Sequence, residues 1–213
     1  YDPAQDLAGI TTLAELPLLL IDNKETGNQS VRDLIVAAKA KQGGFNFASG
    51  GIGTTAHLAA EKFRLSAGFD ATHIPFSSTD GVPEVMGGRI DFMYTAVVTA
   101  LSGVNDGRLV ALAMSSKRAS AMPNVPTIEE AGVPNSAYSV WLGLLVAAKA
   151  PRDAVNRLHQ EVVKALGSAD LRERLLKVGA EPTTMSPDDF DALIRRQLVE
   201  NAQLVKRLGI KAQ

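Results

Sequence analysis

The sequence has no cysteine and only three histidines. Disulfides and thiol chemistry are therefore excluded, and a structural zinc site has too few ligands to be built. Net charge is almost absent as well: 22 Lys and Arg against 23 Asp and Glu leave −1. The basic residues are scattered, so no global field recruits nucleic acid and no nucleic-acid partner is expected. Long apolar runs are missing too. The longest candidate, residues 16–21, fits a buried strand and falls far short of the ~20 residues that span a bilayer. No repeat, low-complexity tract or coiled-coil heptad is present. The absence of cysteine does not choose a compartment. The chain starts at Tyr1, without Met or a signal peptide, and is expected to be a processed or truncated product.

What is present is an ordinary globular composition, 46% hydrophobic and 21% charged over 213 residues, enough for one large or two small domains. One stretch organises the rest, FNFASGGIGTTAHLAAEKF at residues 45–63. Phe45 and Phe47 alternate as in a strand, the chain turns through residues 49–53, and an apolar-periodic helix follows. Gly50, Gly51 and Gly53 let a ligand approach the main chain, while Ser49, Thr54 and Thr55 add hydroxyls. The first N–H groups of the helix have no internal partner, so the unit is suited to a carboxylate or phosphate. Charged hydrogen bonds there are worth roughly 1.5–3 kcal/mol each. A tight turn that holds no ligand is the alternative.

Around this unit, apolar periodicity predicts strands at 7–13 and 16–21 and a helix at 31–41 capped by Ser30. A strand at 71–76, a short helix at 79–87, a strand at 90–94, a helix at 96–104 and a strand at 109–114 follow. Strand and helix alternate with short turns, which implies an α/β domain with a mainly parallel sheet. Ligands on such sheets sit at the carboxyl ends of strands, where Ser49, residues 76–78, Tyr94 and Thr95 fall. Residues 115–134 carry Pro123, Pro126 and Pro134 around a short helix at 127–131 and connect two lobes. A strand at 139–147 with the single Trp141, then helices at 152–166, 169–178 and 187–208, belong to another lobe, to which residues 1–13 contribute.

Residues 51–56 match G-x-G-x-x-A, but the next strand ends in Ser77-Ser78 rather than in the acid that holds a ribose, so a nucleotide is disfavoured. Hydrolysis lacks an assembled nucleophile and base: no G-x-S-x-G exists, and His57 fits a helix residue packing or hydrogen-bonding near the turn. His73 in a strand and His159 on a helix fit structural or surface roles, and no two histidines are near enough in sequence for a metal. Tyr94 and Thr95 either point a phenol and a hydroxyl into a cleft or pack locally. Trp141 fits a core or interlobe anchor. The remainder is a glycine-rich polar cradle without nucleophile, metal or cofactor, which points to binding and not to an enzyme.

Several stretches together resemble one family. Residues 47–54 with His57, Leu58, Glu61 and Phe63 resemble the turn of the tripartite tricarboxylate transporter solute receptors, the Bug-type periplasmic binding proteins. In the same order stand Tyr1-Asp2-Pro3 with Asp6, His73-Ile74-Pro75-Phe76, and residues 87–91. Residues 111–113 with Ser116, 123–127 with 130–132, and 179–182 follow. The resemblance implies a type II periplasmic binding fold, with two lobes of mainly parallel sheets that close on a small carboxylic acid and deliver it to a membrane permease. Ser49, Gly51, Gly53 and Thr54 then bind one ligand carboxylate, with Thr55, Tyr94 and Thr95 as further candidates. No cofactor or metal is implied, and the implied location is the periplasm. Thr95 stands where the family often has Asp, which favours a plain mono- or dicarboxylate over an amino acid. On this mapping residues 1–15 are part of lobe one and the crossover, 16–111 are lobe two, and 112–213 are the return crossover and the rest of lobe one. Lobe one is then incomplete, and a missing N-terminal segment or a second copy is expected to cover its apolar sheet surface. The effector-sensing domain of a transcription regulator shares these lobes but needs a helix-turn-helix that is not visible here. A nucleotide-binding enzyme domain is the remaining alternative.

Overall fold

Periodicity and caps become secondary structure at close to the expected places. The computed structural model describes residues 2–77 and 80–210. In chain order these form α1 (Pro3–Asp6), β1 (Leu7–Glu15), β2 (Leu18–Asn23), α2 (Val31–Ala40), β3 (Phe45–Ser49) and α3 (Thr55–Ala67). Then come β4 (Ala71–Pro75), α4 (Gly81–Met86), β5 (Phe92–Ala96), α5 (Val97–Asn105) and β6 (Leu109–Met114). The chain ends with β7 (Trp141–Ala147), α6 (Arg152–Leu166), α7 (Ala169–Lys177), β8 (Glu181–Pro182) and α8 (Pro187–Leu208). Ser30 caps α2 by accepting from the Asp33 amide, and Ser186 caps α8 by accepting from that of Asp189. Tyr1, Ser78 and Thr79, named in the sequence expectations above, lie outside the described residues.

Two compact units result, Tyr1–Leu16 with Val140–Gly209 and Pro17–Ser139 with Ile210–Gln213. The second unit is built on a five-stranded sheet of order β4-β3-β5-β2-β6. β3 pairs parallel with β4 and β5, while β2 runs antiparallel to both β5 and β6. Four strands therefore point one way and β2 the other. β2 is buried along its whole length, which accounts for the unbroken run Leu18-Leu19-Leu20-Ile21. On one face Phe45, Phe47 and Phe92 gather beneath Phe63 of α3. On the other, Ala48 and Met93 pack with Val82 and Val85 of α4 and with Val97 and Ala100 of α5.

Residues 115–139 stay with this unit and not with the return crossover, so the division falls after Ser139 and not after residue 111. The Met114 amide donates to Pro126 O at 2.8 Å and that of Tyr138 to Ser115 O at 2.7 Å, which ties the segment to the end of β6. The short helix expected at 127–131 is a turn, closed by the Thr127 amide on Glu130 Oε2 at 2.8 Å. β5 begins two residues later than periodicity implies. Asp91 is held outside it, donating its amide to Asn46 O at 2.9 Å and accepting from the Asn46 amide at 2.7 Å.

The first unit has a three-stranded sheet of order β7-β1-β8, with antiparallel pairing throughout, so parallel pairing is confined to the other unit. Phe190 of α8 packs closely against it. A Cβ at Gly9 would stand 2.6 Å from Phe190 Cδ1, and Trp141 meets the same ring edge-on at 4.8 Å. Gly143 shares that face, so Leu142 and Leu144 take the opposite one, where they remain 48% and 39% exposed on a strand that has one neighbour among the described residues.

Candidate functional site

Because β3, β4 and β5 are parallel, their carboxyl ends at Ser49, Pro75 and Ala96 share one edge of the sheet. Between β3 and α3 the chain makes the glycine turn, with φ of +132° at Gly51 and +77° at Gly53. Only glycine enters these conformations without strain. Thr54 caps α3, accepting from the His57 amide at 3.4 Å and donating to Gly51 O at 2.8 Å.

Gly51 and Gly53, expected to offer their amides to a ligand, have both amides bonded within the chain. The Gly51 amide donates to Ser49 Oγ at 3.1 Å, and the Gly53 amide donates to His57 Nδ1 at 3.0 Å. Ser49 is fully buried and its hydroxyl is committed to Gly51 and to His73 Nε2 at 2.6 Å. Open donors stand at the helix start. Among the described residues the amides of Thr55 and Ala56, first in the 13-residue α3, have no partner in the chain, as the geometry of a helix start dictates. Ile52, Gly53 and Thr55 are the exposed part of the turn.

A second helix starts at the same edge. α5 follows β5 directly, and its N-cap is Ala96, which offers no capping side chain. β5 neighbours β3, so the two helix starts rise from adjacent strand ends, and both direct partial positive charge to that edge. Ser116 follows β6, and its buried Oγ has no partner among the described residues. It lies three strand spacings from β3, about 14 Å, too far to share one carboxylate with the turn.

Tyr94 does not reach an opening. With β5 displaced toward Ala96, it stands mid-strand, 1% exposed, with its ring edge-on to Phe63 and its hydroxyl without a partner among the described residues. Burial pushes its phenol pKa up, so it stays neutral. Thr95 is 4% exposed and pairs in register with Leu19. The site residues expected from sequence thus separate into the turn and its neighbours, which are brought together, and Tyr94, which is core.

Behind the turn the imidazoles of His57 and His73 stack at 3.7 Å with 12° between planes, against Phe47. His57 Nε2 lies 3.7 Å from Glu61 Oε1, and Arg64 Nη2 lies 2.6 Å from Glu61 Oε2. Burial alone raises the Glu61 pKa, but His57 and Arg64 outweigh it and hold the carboxyl below its usual range. Desolvation, then the neighbouring His57, push His73 down to about 4. Sequence reading gave His73 no part in the turn. Its only signal is the parallel register that sets it opposite Phe47.

The model of the tripartite tricarboxylate transporter family receptor matches residues 1–210. Protein BugT of Bordetella pertussis is 29% identical over 99% of this chain, which spans 65% of BugT's own length. Rpa4515 of R. palustris, solved with adipate, is 27% identical with a TM-score of 0.79, over 99% of this chain and 71% of that one. A TctC solute binding protein from Polaromonas, solved without ligand, gives a TM-score of 0.83 at 25% identity, over 95% and 70% respectively. These likenesses place the α/β architecture among the periplasmic binding proteins. With strands, turn and helices matched almost end to end, the chain belongs to the tripartite tricarboxylate transporter family receptors.

Proposed function

We propose that this chain is the gripping part of an extracytoplasmic receptor that binds a small, plain carboxylic acid at the strand ends beside the glycine turn. The recipient we infer is the membrane permease of a tripartite tricarboxylate-type transporter, and the compartment is the periplasm. The observation that carries the reading is the pair of helix starts, α3 and α5, on adjacent strand ends, with the Thr55 and Ala56 amides of α3 without a partner among the described residues. The adipate held by the R. palustris relative supplies the ligand class. The same geometry supports binding without catalysis. Ser49 contacts an imidazole, but it is sealed from any substrate carbonyl and its oxygen is spent on the turn.

Thermal denaturation with adipate, malate, glutamate and a nucleotide tests this. A dicarboxylate at a hundredfold excess over Kd stabilises by about 2.7 kcal/mol, while nucleotides leave the midpoint unchanged. Stabilisation by nucleotides alone, or glutamate binding tighter than the plain acids, contradicts the reading.

The apolar strip of Leu142 and Leu144 on edge strand β7 belongs, on this proposal, under a further segment of the longer receptor. The 213-residue chain is then expected to self-associate through β7. A strictly monomeric species in native mass spectrometry speaks against that.

A further inference from the structure

The turn is held from behind by groups whose partners fix where one proton sits. A backbone N–H can only donate, so the 3.0 Å contact from Gly53 requires a bare lone pair on His57 Nδ1. A neutral ring then carries its proton on Nε2, toward Glu61 Oε1. His57 is 4% exposed and clamped between His73 and the helix, so water does not readily replace it as the acceptor for Gly53. His73 works two residues back: its Nε2 holds Ser49, whose oxygen in turn receives the Gly51 amide. Each of the two glycines with positive φ in the turn is thus anchored through one imidazole, and the two rings brace each other over the Phe47 face.

We propose that His57 is a positioning residue for the anion site: by accepting the Gly53 amide in its Nε2–H tautomer, it fixes the turn and so aims the free amides of Thr55 and Ala56 at the ligand. His73 sets the other end of the turn through Ser49. The proposal rests on the reading of this turn as the anion site, and it adds that the histidines touch the turn and not the ligand. A proton on Nδ1 removes the Gly53 bond, and a second charge on the stacked partner is opposed at 3.7 Å. Glu61 and Arg64 are the charged groups beside the ring, and their ion pair offsets one against the other.

Three readouts test the proposal. In the unliganded protein, ¹⁵N shifts of the His57 ring are expected to show an unprotonated Nδ1 and a protonated Nε2. Amide exchange at Gly53 is expected to be slow in wild type and in His57→Asn, whose Oδ1 restores an acceptor, and fast in His57→Phe, which keeps only the ring stack. Adipate affinity is expected to fall by about tenfold in His57→Phe and to be largely retained in His57→Asn, at similar melting temperatures. A protonated Nδ1, or equal exchange and affinity in the two variants, overturns the proposal. If wild type binds no carboxylate while the ring and exchange results come out as expected, the anion reading fails and the anchoring of the turn by His57 stands.

Discussion

Phe47→Ala is expected to cost about 3–5 kcal/mol, the largest loss of any single truncation near the site. Phe47 is fully buried, and its ring contacts Phe92 at 5.4 Å, His73 at 4.9 Å and His57 at 6.0 Å. Truncation opens a cavity beneath both imidazoles, and the surrounding sheet cannot collapse into it because β3 is paired on both sides. The expected result in urea unfolding is a lowered midpoint at an unchanged slope, together with weakened carboxylate binding. A loss within 1 kcal/mol contradicts the view that this ring supports the turn.

Acidification is expected to have the second-largest effect, through His73. Its folded pKa, about 4, lies below the ordinary 6.5, so between those values the unfolded chain binds the proton that the folded chain refuses. The associated stability is fully present above about pH 6.5 and is lost as pH falls toward about 4. Undiscounted, such a drop corresponds to about 3 kcal/mol, and because His73 is only half-buried, about 1–2 kcal/mol is the reasonable expectation. His73→Gln removes this slope. Urea unfolding of wild type and variant at pH 7.5 and pH 4.5 is expected to show a stability difference that shrinks or reverses in acid. Parallel pH curves for the two proteins contradict it.

Much of this was legible in residues 45–63, because a strand pattern, three glycines and the hydroxyls beside them act locally. The turn, its cap Thr54 and the start of α3 depend on neighbours within four residues, and His57 near the turn follows from the same locality. The destination of each amide was not legible. Whether Gly51 donates to a ligand or to Ser49 depends on a hydroxyl rotor, and that rotor is set by His73 from another strand through parallel register. Tyr94 shows the same limit. A two-residue displacement of β5, caused by Asp91 bonding back to Asn46, moves it from strand end to strand middle. The helix after β5 was expected at 96–104, but its uncapped start at Ala96 and its place beside α3 require the strand boundary and the strand order.

An NMR titration of the ¹⁵N-labelled chain with adipate bears most directly on the grip itself. The account predicts large downfield movements for the amide protons of Thr55 and Ala56, with Gly51 and Gly53 nearly still because their hydrogen bonds are already made. Saturable binding that leaves Thr55 and Ala56 unmoved would contradict it.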